Sequence, residues 1–354
     1  MSSKERCFRA VAVASGVLAG LLIGELGLRL QVAVSGRSVA DADVRRSRTI
    51  VPPAYEGSCE GKLGASLAAL LWPSPQLDMV YELKPGLDTC FVRARVQTSQ
   101  DGLRTGAKGL RPTSRAAFRI LLLGDSQAFG WGVTYEETTG ALLERELTAQ
   151  GRSVEVLNAG VPGYNAAQEA AYLATLGPAF KPDCVLVLFT GNDFDPPIFR
   201  ANSEPPRPPL SYVAATVRRA WRRWRSPAAV EGQPLEALTF APSAPDLAEV
   251  PPEYRSMVGV PGYKNALASM SRSGNRLHAP IVNFADYSYL LPEEQSRDLL
   301  DYQRSLGIIH PDFNFPLGGR FHLRDDDPHL NAQGHRALSQ RVAAGLRSAN
   351  VCGH

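Results

Sequence analysis

Three almost wholly apolar segments, separated by stretches of helical periodicity, constrain the fold of this chain more than any other feature. They are FRILLLGDS at 118–126, VEVLNAG at 154–160 and DCVLVLFTGND at 183–193. The intervening segments, 134–147 and 165–177, repeat apolar residues at helical spacing. Continuous apolar strands that alternate with helices are typical of a parallel sheet covered on both faces. The sequence therefore predicts an α/β domain.

The same alternation continues toward the C-terminus. Residues 279–286 predict a fourth strand, 307–311 a fifth, and 331–347 a closing amphipathic helix. Residues 79–104 predict short strands with turns, upstream of the apolar segments. We therefore expect a parallel sheet of about five strands, preceded by a small β-rich region.

Changes in composition along the chain suggest its domain boundaries. We expect an N-terminal membrane segment over 1–34, a linker and small β-rich region over 35–115, and the α/β domain over 116–350. A proline-rich and then strongly basic stretch interrupts the alternation at 195–252, where regular helix cannot continue. We interpret that stretch as an insertion or lid.

The N-terminal segment combines basic and apolar residues. Basic residues precede an uncharged run over 10–24, which Glu25 interrupts. A membrane-spanning helix needs about 20 apolar residues, and the run approaches that length only with Glu25 at the membrane interface. A signal anchor, a cleaved signal peptide and a buried helix stay open as interpretations. The expectation we carry forward is a single-pass anchor in the cell membrane, with the α/β domain outside the cytoplasm, in the periplasm.

Charge and cysteine content exclude some classes of function. The 38 basic and 35 acidic residues give a net charge of +3, too even a balance for a nucleic-acid partner. No cysteine or histidine spacing matches a metal site, so we expect neither metal nor cofactor. Cys59 and Cys90 form a disulfide if their region is extracytoplasmic, or otherwise remain two thiols. Cys184, inside an apolar run, is expected to be a core residue.

Four polar motifs fall at strand ends or at a loop–helix junction, the places where ligands bind in an open parallel sheet. They are Gly124-Asp125-Ser126, Asn158–Gly163, Gly191-Asn192-Asp193 and Asp325–Asn331. Each motif alone is common in turns and helix caps. Together they supply a serine, a histidine, carboxylates and N–H donors. A serine nucleophile requires a base, an orienting carboxylate and donors for its oxyanion.

These motifs resemble the four blocks of the SGNH/GDSL hydrolase superfamily. In this chain the blocks read LLLGDSQAFGWGV, VLNAGVPGYN, LFTGND and DDDPHLNAQGH. The resemblance runs from about residue 79 to the C-terminus and includes VQTSQDGLR, which is similar to a stretch found in membrane-linked members. It implies a flavodoxin-like three-layer α/β/α fold.

The resemblance also implies a role for each matched residue. Ser126 would be the nucleophile and His329 its general base. The backbone N–H groups of Ser126 and Gly163 and the side-chain amide of Asn192 would form the oxyanion hole. His335 lies on the closing helix, and we expect it to be structural.

The carboxylate that orients His329 has two candidates. Asp326 lies three residues before the histidine, which is the usual spacing in the family, and Asp327 lies two before it, as in some polysaccharide O-acetyltransferase relatives. The usual spacing favours Asp326.

The resemblance implies a serine esterase that hydrolyses an O-acyl ester, most simply O-acetyl, of a carbohydrate or lipid. The alternatives are an O-acetyltransferase of extracytoplasmic polysaccharide and a catalytically silent glycan-binding domain. The expected partners are the acylated carbohydrate or lipid and, through the N-terminal helix, the membrane. The arginine-rich stretch 218–225, with two tryptophans, either binds anionic lipid or acidic polysaccharide or is an exposed helix face.

Overall fold

The computed structural model divides the chain into two compact units, residues 1–49 with 202–237 and residues 50–201 with 238–354. The residues that it describes are 15–16, 19–27, 29–30, 58–59, 62–107, 109, 117–201, 211, 213, 238–240, 250–315, 318–324 and 327–352. In the first unit, residues 19–27 are helical. Glu25 of that helix accepts hydrogen bonds from the Ser211 hydroxyl and the Val213 N–H, both at 3.0 Å.

Two predictions fall largely outside the described residues. The membrane segment predicted over 1–34 is described only in part, and none of the helices that the structure does describe is both long and apolar enough to cross a membrane. Most of the insertion predicted over 195–252 and all of the arginine-rich stretch 218–225 also lie outside the described residues.

The second unit contains the strands and helices numbered here in chain order. Its strands are β1 (Ser58–Cys59), β2 (Lys62–Leu63), β3 (Leu71–Pro73), β4 (Tyr81–Leu83), β5 (Asp88–Phe91), β6 (Ala94–Thr98), β7 (Arg104–Thr105), β8 (Phe118–Gly124), β9 (Val154–Asn158), β10 (Cys184–Leu188), β11 (Phe199–Ala201), β12 (Leu238–Phe240), β13 (Ile281–Phe284), β14 (His322–Arg324) and β15 (Asp327–Leu330). Its helices are α1 (Leu67–Leu70), α2 (Ser126–Phe129), α3 (Thr139–Ala149), α4 (Ala166–Thr175), α5 (Gly177–Phe180), α6 (Gly259–Leu277), α7 (Glu293–Ser305) and α8 (Ala332–Ala349).

A seven-stranded mixed sheet in the order β13-β10-β8-β9-β7-β6-β5 forms the centre of the second unit. Strands β13, β10, β8 and β9 pair in parallel, which confirms the four apolar segments as strands. Leu122 of β8 pairs with Leu186 of β10 on one side and with Asn158 of β9 on the other. This register brings the carboxyl ends of the three strands to the same edge of the sheet.

Helices cover both faces of the parallel part of the sheet, as its apolar strands require. On one face, Ile120 and Leu122 belong to a buried cluster with Leu143 of α3 and Leu346 of α8. Helices α4 and α6 pack against each other on the opposite face. The result is the three-layer α/β/α arrangement.

The predicted fifth strand is reduced to a single bridge. Ile309 forms an isolated parallel pair with Val282, donating to Ile281 O at 2.9 Å and accepting from Asn283 N at 2.8 Å. Pro311 follows, and because proline has no N–H it cannot extend the ladder. The other strands of the sheet come from the N-terminal side instead.

Strands β5, β6 and β7 extend the sheet in antiparallel pairing, and Arg104 of β7 pairs with Asn158 of β9. The β-rich region upstream of residue 116 is therefore part of the same sheet as the α/β domain. Arg104 is fully buried, and its guanidinium donates hydrogen bonds to the carbonyls of Gln97, Thr105, Arg95 and Val133. Burial lowers the pKa of Arg104 to about 10, so the group is charged at neutral pH and held by backbone dipoles.

Two disulfides close the second unit. Cys59 pairs with Cys90, one of the two alternatives open from the sequence. Cys184 is buried in the core, as expected, and it also pairs with Cys352, which the sequence did not predict. The two cysteines are 168 residues apart in sequence, so no local pattern could have connected them. The second bridge ties β10 to the segment that follows α8.

Candidate active site

Ser126 begins α2, directly after the tight turn that follows β8. Asp125 caps α2 by accepting a hydrogen bond from Gln127 N at 2.8 Å. Gly124 has φ +151°, and a Cβ atom built on it would lie 2.6 Å from Ala128 Cβ, so the turn has room only for glycine. Ser126 is the first residue of the helix, where N–H groups have no intrahelical acceptor. Its hydroxyl and its N–H are therefore both located at the carboxyl edge of the sheet.

Ser126 Oγ, the His329 imidazole and the Asp327 carboxylate form a continuous hydrogen-bonded chain. The Ser126 oxygen lies 2.9 Å from His329 Nε2, and His329 Nδ1 lies 2.6 Å from Asp327 Oδ1. Asp327 and His329 belong to β15, where residues two apart point to the same side. Asp326, favoured from the sequence, lies outside the described residues. In the part of the chain that is described, Asp327 is the carboxylate in contact with His329.

Asp327 is held in its charged form by the histidine beside it. Partial burial raises the pKa of its carboxyl, but hydrogen bonds from the side chain and backbone of His329 outweigh this, and the net pKa lies below its ordinary value. An ionised carboxylate at this position fixes the tautomer of the imidazole, because Nδ1 must carry the proton that it donates. Nε2 is then free to accept the proton of Ser126.

Asn192 lies in the 3-10 turn Gly191–Phe194, after β10. Its Nδ2 donates to Tyr164 O at 2.9 Å, and the Thr190 hydroxyl contacts its Oδ1. These contacts define which end of the amide is the donor. An amide nitrogen carries two hydrogens, so the second is the one available to an oxyanion.

Gly163 is held in a conformation that only glycine adopts easily, with φ +74°. A Cβ atom built on it would lie 2.0 Å from Ile198 Cδ1. The loop is fixed from the N-terminal region, because the buried Tyr81 hydroxyl donates to Pro162 O at 3.3 Å and the Tyr164 hydroxyl donates to Tyr81 O. These contacts therefore hold the backbone of Gly163, one of the three predicted oxyanion donors, in a fixed position.

Asn158 joins the Gly163 loop to the helix that carries Ser126. Its Nδ2 donates to Ala128 O at 2.7 Å, and its Oδ1 accepts from Gly160 N at 3.0 Å. A Cβ atom on Gly160 would lie 2.3 Å from Phe129 N. The close approach explains the Asn-x-Gly pattern and keeps two elements of the predicted oxyanion hole in a fixed relation.

Three buried carboxyl groups lie beneath this edge of the sheet. Burial raises the pKa of Asp125, an effect opposed by the hydrogen bond from Gln127 and, whenever His329 is protonated, by the positive charge of its ring. The pKa values of Asp193 and Glu169 are also well above their ordinary range, first through burial, then through repulsion from Asp125 and Asp193 respectively. The protonated form therefore persists to higher pH than in an exposed carboxyl.

His335 is structural, as expected. It is fully buried, and a hydrogen bond of 2.9 Å joins its Nδ1 to Thr139 Oγ1. Burial, with a smaller contribution from His329, lowers the pKa of His335 to about 3. It is therefore neutral and adds no charge to the site at physiological pH.

Sequence reasoning missed two residues of this site. Thr190, whose hydroxyl also lies 3.0 Å from Asp125 Oδ2, directly precedes the Gly191-Asn192-Asp193 motif. Trp131, in the GWGV segment, stacks on His329; its nearness to Ser126 in sequence was the available signal. Among the residues that the structure describes, no group of three or more His, Cys, Asp or Glu side chains is arranged to hold a metal ion.

Comparison with known proteins identifies related sequences and structures. Residues 122–337 match the GDSL-like Lipase/Acylhydrolase family. A curated arylesterase from Vibrio mimicus is 31% identical over 97 residues, which are 26% of this chain and 48% of the relative, so the match spans about half of that protein.

Solved structures also align with the chain, at low sequence identity. TesA is 17% identical and aligns over 65% of this chain and 99% of its own, with a TM-score of 0.40. EstA from Pseudoalteromonas sp. is 14% identical, over 65% and 97%, with a TM-score of 0.42. A variant of Axe2, an acetyl xylan esterase from Geobacillus stearothermophilus, is 17% identical, over 66% and 95%, with a TM-score of 0.37.

Proposed function

We propose that this chain, an ester hydrolase that belongs to the GDSL-like lipase/acylhydrolase family, cleaves O-acyl esters by a Ser-His-Asp mechanism. The observation that carries the proposal is the hydrogen-bonded chain from Ser126 Oγ through the His329 imidazole to Asp327. Such a chain makes a weakly acidic hydroxyl into a nucleophile, because the base takes the proton as the oxygen attacks.

In the acylation step, Ser126 Oγ attacks the ester carbonyl while its proton passes to His329 Nε2. Asp327 stabilises the imidazolium that forms and keeps it oriented. The carbonyl oxygen becomes an oxyanion, which the N–H groups of Ser126 and Gly163 and the amide of Asn192 stabilise. Loss of one such donor typically lowers the rate by about 100- to 1000-fold. His329 then gives its proton to the departing alcohol.

In the deacylation step, water takes the place of Ser126 as the nucleophile. His329 takes a proton from a water molecule, the resulting hydroxide attacks the acyl-enzyme carbonyl, and the same three donors stabilise the second oxyanion. The proton returns to Ser126 Oγ as the acid is released. Both steps therefore pass through a protonated His329.

The surroundings of the oxyanion donors favour a short acyl group such as acetyl. Ile198 packs so closely on Gly163 that a single added carbon would overlap with it. Next to the turn that carries Asn192, Leu290 Cδ1 lies 3.4 Å from where a Cβ of Gly191 would be, and the neighbouring Tyr289 is 40% exposed. An exposed aromatic beside an aliphatic side chain suits the apolar face of a sugar ring or a lipid, so we propose an acylated carbohydrate or lipid as the substrate.

We further propose that the second unit works outside the cytoplasm. Its two disulfides, Cys59–Cys90 and Cys184–Cys352, support this location, because structural disulfides persist in oxidising compartments.

The test is hydrolysis of 4-nitrophenyl acetate by the full chain, compared with Ser126→Ala, His329→Ala and the control His278→Asn. His278 is exposed, at the left-handed C-cap of α6, a conformation that asparagine tolerates. We expect the first two substitutions to abolish turnover and the control to retain it. Equal turnover by all four proteins would rule out Ser126 as nucleophile and His329 as base.

A further inference from the structure

Trp131 covers one face of the proposed catalytic base. Its indole and the His329 imidazole are stacked, with ring centroids 4.5 Å apart and planes inclined by 8°. Trp131 is 5% exposed. The edge-on ring of Phe91, 4.6 Å away at 83°, packs against the indole. The stack is thus a fixed part of the interior and not a chance contact between surface rings.

The backbone also connects Trp131 to the nucleophile. Its N–H donates to Ser126 O at 3.1 Å, as does the N–H of Gly130. Gly130 has φ +84° and Gly132 φ +74°, so a left-handed glycine lies on either side of the tryptophan. A Cβ on Gly132 would lie 2.5 Å from Leu323 Cδ1. One residue therefore ties the backbone of Ser126 to the ring plane of His329.

Trp131 contacts a face of the His329 ring, whereas the other two partners contact the ring edge. Asp327 contacts Nδ1 and Ser126 contacts Nε2, and both hydrogen bonds use ring nitrogens whose N–H and lone pair lie in the imidazole plane. A cation above an indole face is attracted by the negative face of the ring, and tryptophan is the strongest of the aromatic side chains in this respect. A neutral imidazole gains much less from the same contact.

We propose that Trp131 is a positioning residue that stabilises the imidazolium form of His329, and so lowers the barrier of both acylation and deacylation. The proposal rests on the proposed function, because it requires His329 to become protonated during turnover. An interaction that is stronger in the transition state than in the ground state raises kcat without changing KM. Since both steps use the imidazolium, kcat responds whichever step is slower.

A purely structural role for Trp131 would give a different result. In that case any side chain that fills the space and leaves the fold stable would keep kcat. The first comparison is therefore between Trp131→Leu, which keeps an apolar group, and Trp131→Phe, which keeps an aromatic face. Trp72→Leu, at a residue 39% exposed in β3, controls for loss of a tryptophan elsewhere.

We expect Trp131→Leu to lower kcat roughly 5- to 30-fold at an unchanged KM for 4-nitrophenyl acetate, and Trp131→Phe to recover most of the loss. Trp72→Leu is expected to match the wild type. Equal kcat values for Trp131→Leu and Trp131→Phe, in proteins with the same thermal midpoint, would overturn the proposal.

A second measurement does not require Trp131→Leu to fold, because it changes the indole of the wild-type chain itself. Fluorinated tryptophan has nearly the same size as tryptophan but a less negative ring face. Incorporated throughout the wild-type chain, which has four tryptophans, mono- and then difluorotryptophan should lower kcat progressively. In Trp131→Phe, the same analogues at the remaining tryptophans should leave kcat unchanged. No decrease in the wild type, or an equal decrease in Trp131→Phe, would refute the cation–π role.

Labelling by diethyl 4-nitrophenyl phosphate separates failure of this proposal from failure of the proposed function. Mass spectrometry should find the diethylphosphoryl group on Ser126 and none on Ser126→Ala. Absence of the label from Ser126, with undiminished turnover by Ser126→Ala, would overturn the function and with it the role of Trp131. A labelled Ser126 together with fluorination-independent kcat would overturn only the role of Trp131.

Discussion

Substitution of Gly163 by alanine tests the oxyanion hole most directly. At φ +74° an L-residue costs about 1–2 kcal/mol. The new Cβ would lie 2.0 Å from Ile198 Cδ1 and 2.5 Å from Ile198 Cγ1, and relief of such overpacking typically costs about 1–3 kcal/mol. The Ile198 side chain is partly exposed, so it can yield, but Tyr81 Oη at 3.2 Å limits the movement on the other side.

Relief of this strain must move the backbone of residue 163, and its N–H moves with it. We therefore expect Gly163→Ala to lower kcat/KM for 4-nitrophenyl acetate by about 100-fold or more, the loss typical of one oxyanion donor. Ile198→Ala and the double variant complete a thermodynamic cycle. The double variant should recover the stability lost to the clash, measured by urea unfolding, but not the part due to the left-handed backbone.

The outcome that would refute this reasoning is full activity of Gly163→Ala at reduced stability. It would mean that the loop shifts without consequence, and that the N–H of residue 163 does not contact the developing oxyanion. Ile198→Ala alone supplies a further check: if Ile198 limits the acyl group, this variant should hydrolyse 4-nitrophenyl butyrate faster relative to the acetate than the wild type does.

Three further predictions each concern the substitution of one charged residue. Asp327→Asn should lower kcat by about 1000- to 10,000-fold through loss of the correct imidazole tautomer, whereas Asp312→Asn serves as a control for the same change; comparable kcat in both would contradict the assignment of Asp327. Burial raises the pKa of Glu169, so the stability that its carboxyl contributes is full below the unfolded-state pKa and declines as pH rises through the folded-state pKa. In urea unfolding, Glu169→Gln should therefore lose less stability than the wild type between pH 5 and pH 9. Equal dependence of the unfolding free energy on pH in the two proteins would exclude Glu169 as the cause. Arg104→Met should cost about 3–5 kcal/mol of unfolding free energy, since it leaves buried carbonyls without their charged donor; a loss below about 1 kcal/mol in urea unfolding would show that water replaces the guanidinium.

The parallel strands were predictable because each one is marked by a pattern within its own short segment of sequence. Each of β8, β9, β10 and β13 is a short apolar run that ends in a polar turn, and the burial of β10 along its whole length is what such a run requires. The prediction of a fifth strand was wrong because an apolar pattern does not show how far a segment can pair with its neighbour. Ile309 forms a single bridge with Val282 before Pro311 ends the pairing. The antiparallel extension depends on the pairing of Arg104 with Asn158, a long-range contact with no signature in either segment.

The site was predictable to the extent that its parts lie in motifs. Ser126, Gly163 and Asn192 each follow a strand whose end could be located from the sequence. The choice between Asp326 and Asp327 depended on backbone conformation around the histidine, which spacing alone does not define. Once 327–330 is known to be a strand, the period of two places Asp327 on the side of His329.

The N-terminal strands are as much a part of the site as the motifs themselves. Tyr81 of β4 holds the loop of Gly163, and Phe91 of β5 packs on the tryptophan that covers His329. Phe91 thus fixes the ring that stacks on His329, and Tyr81 fixes the loop of a predicted oxyanion donor. A boundary at residue 116 would separate these supports from the groups that they position. Because a displacement of about 1 Å can lower the rate of such a site about 100-fold, the proposed catalytic unit is best defined by these contacts and not by the limits of the recognisable motifs.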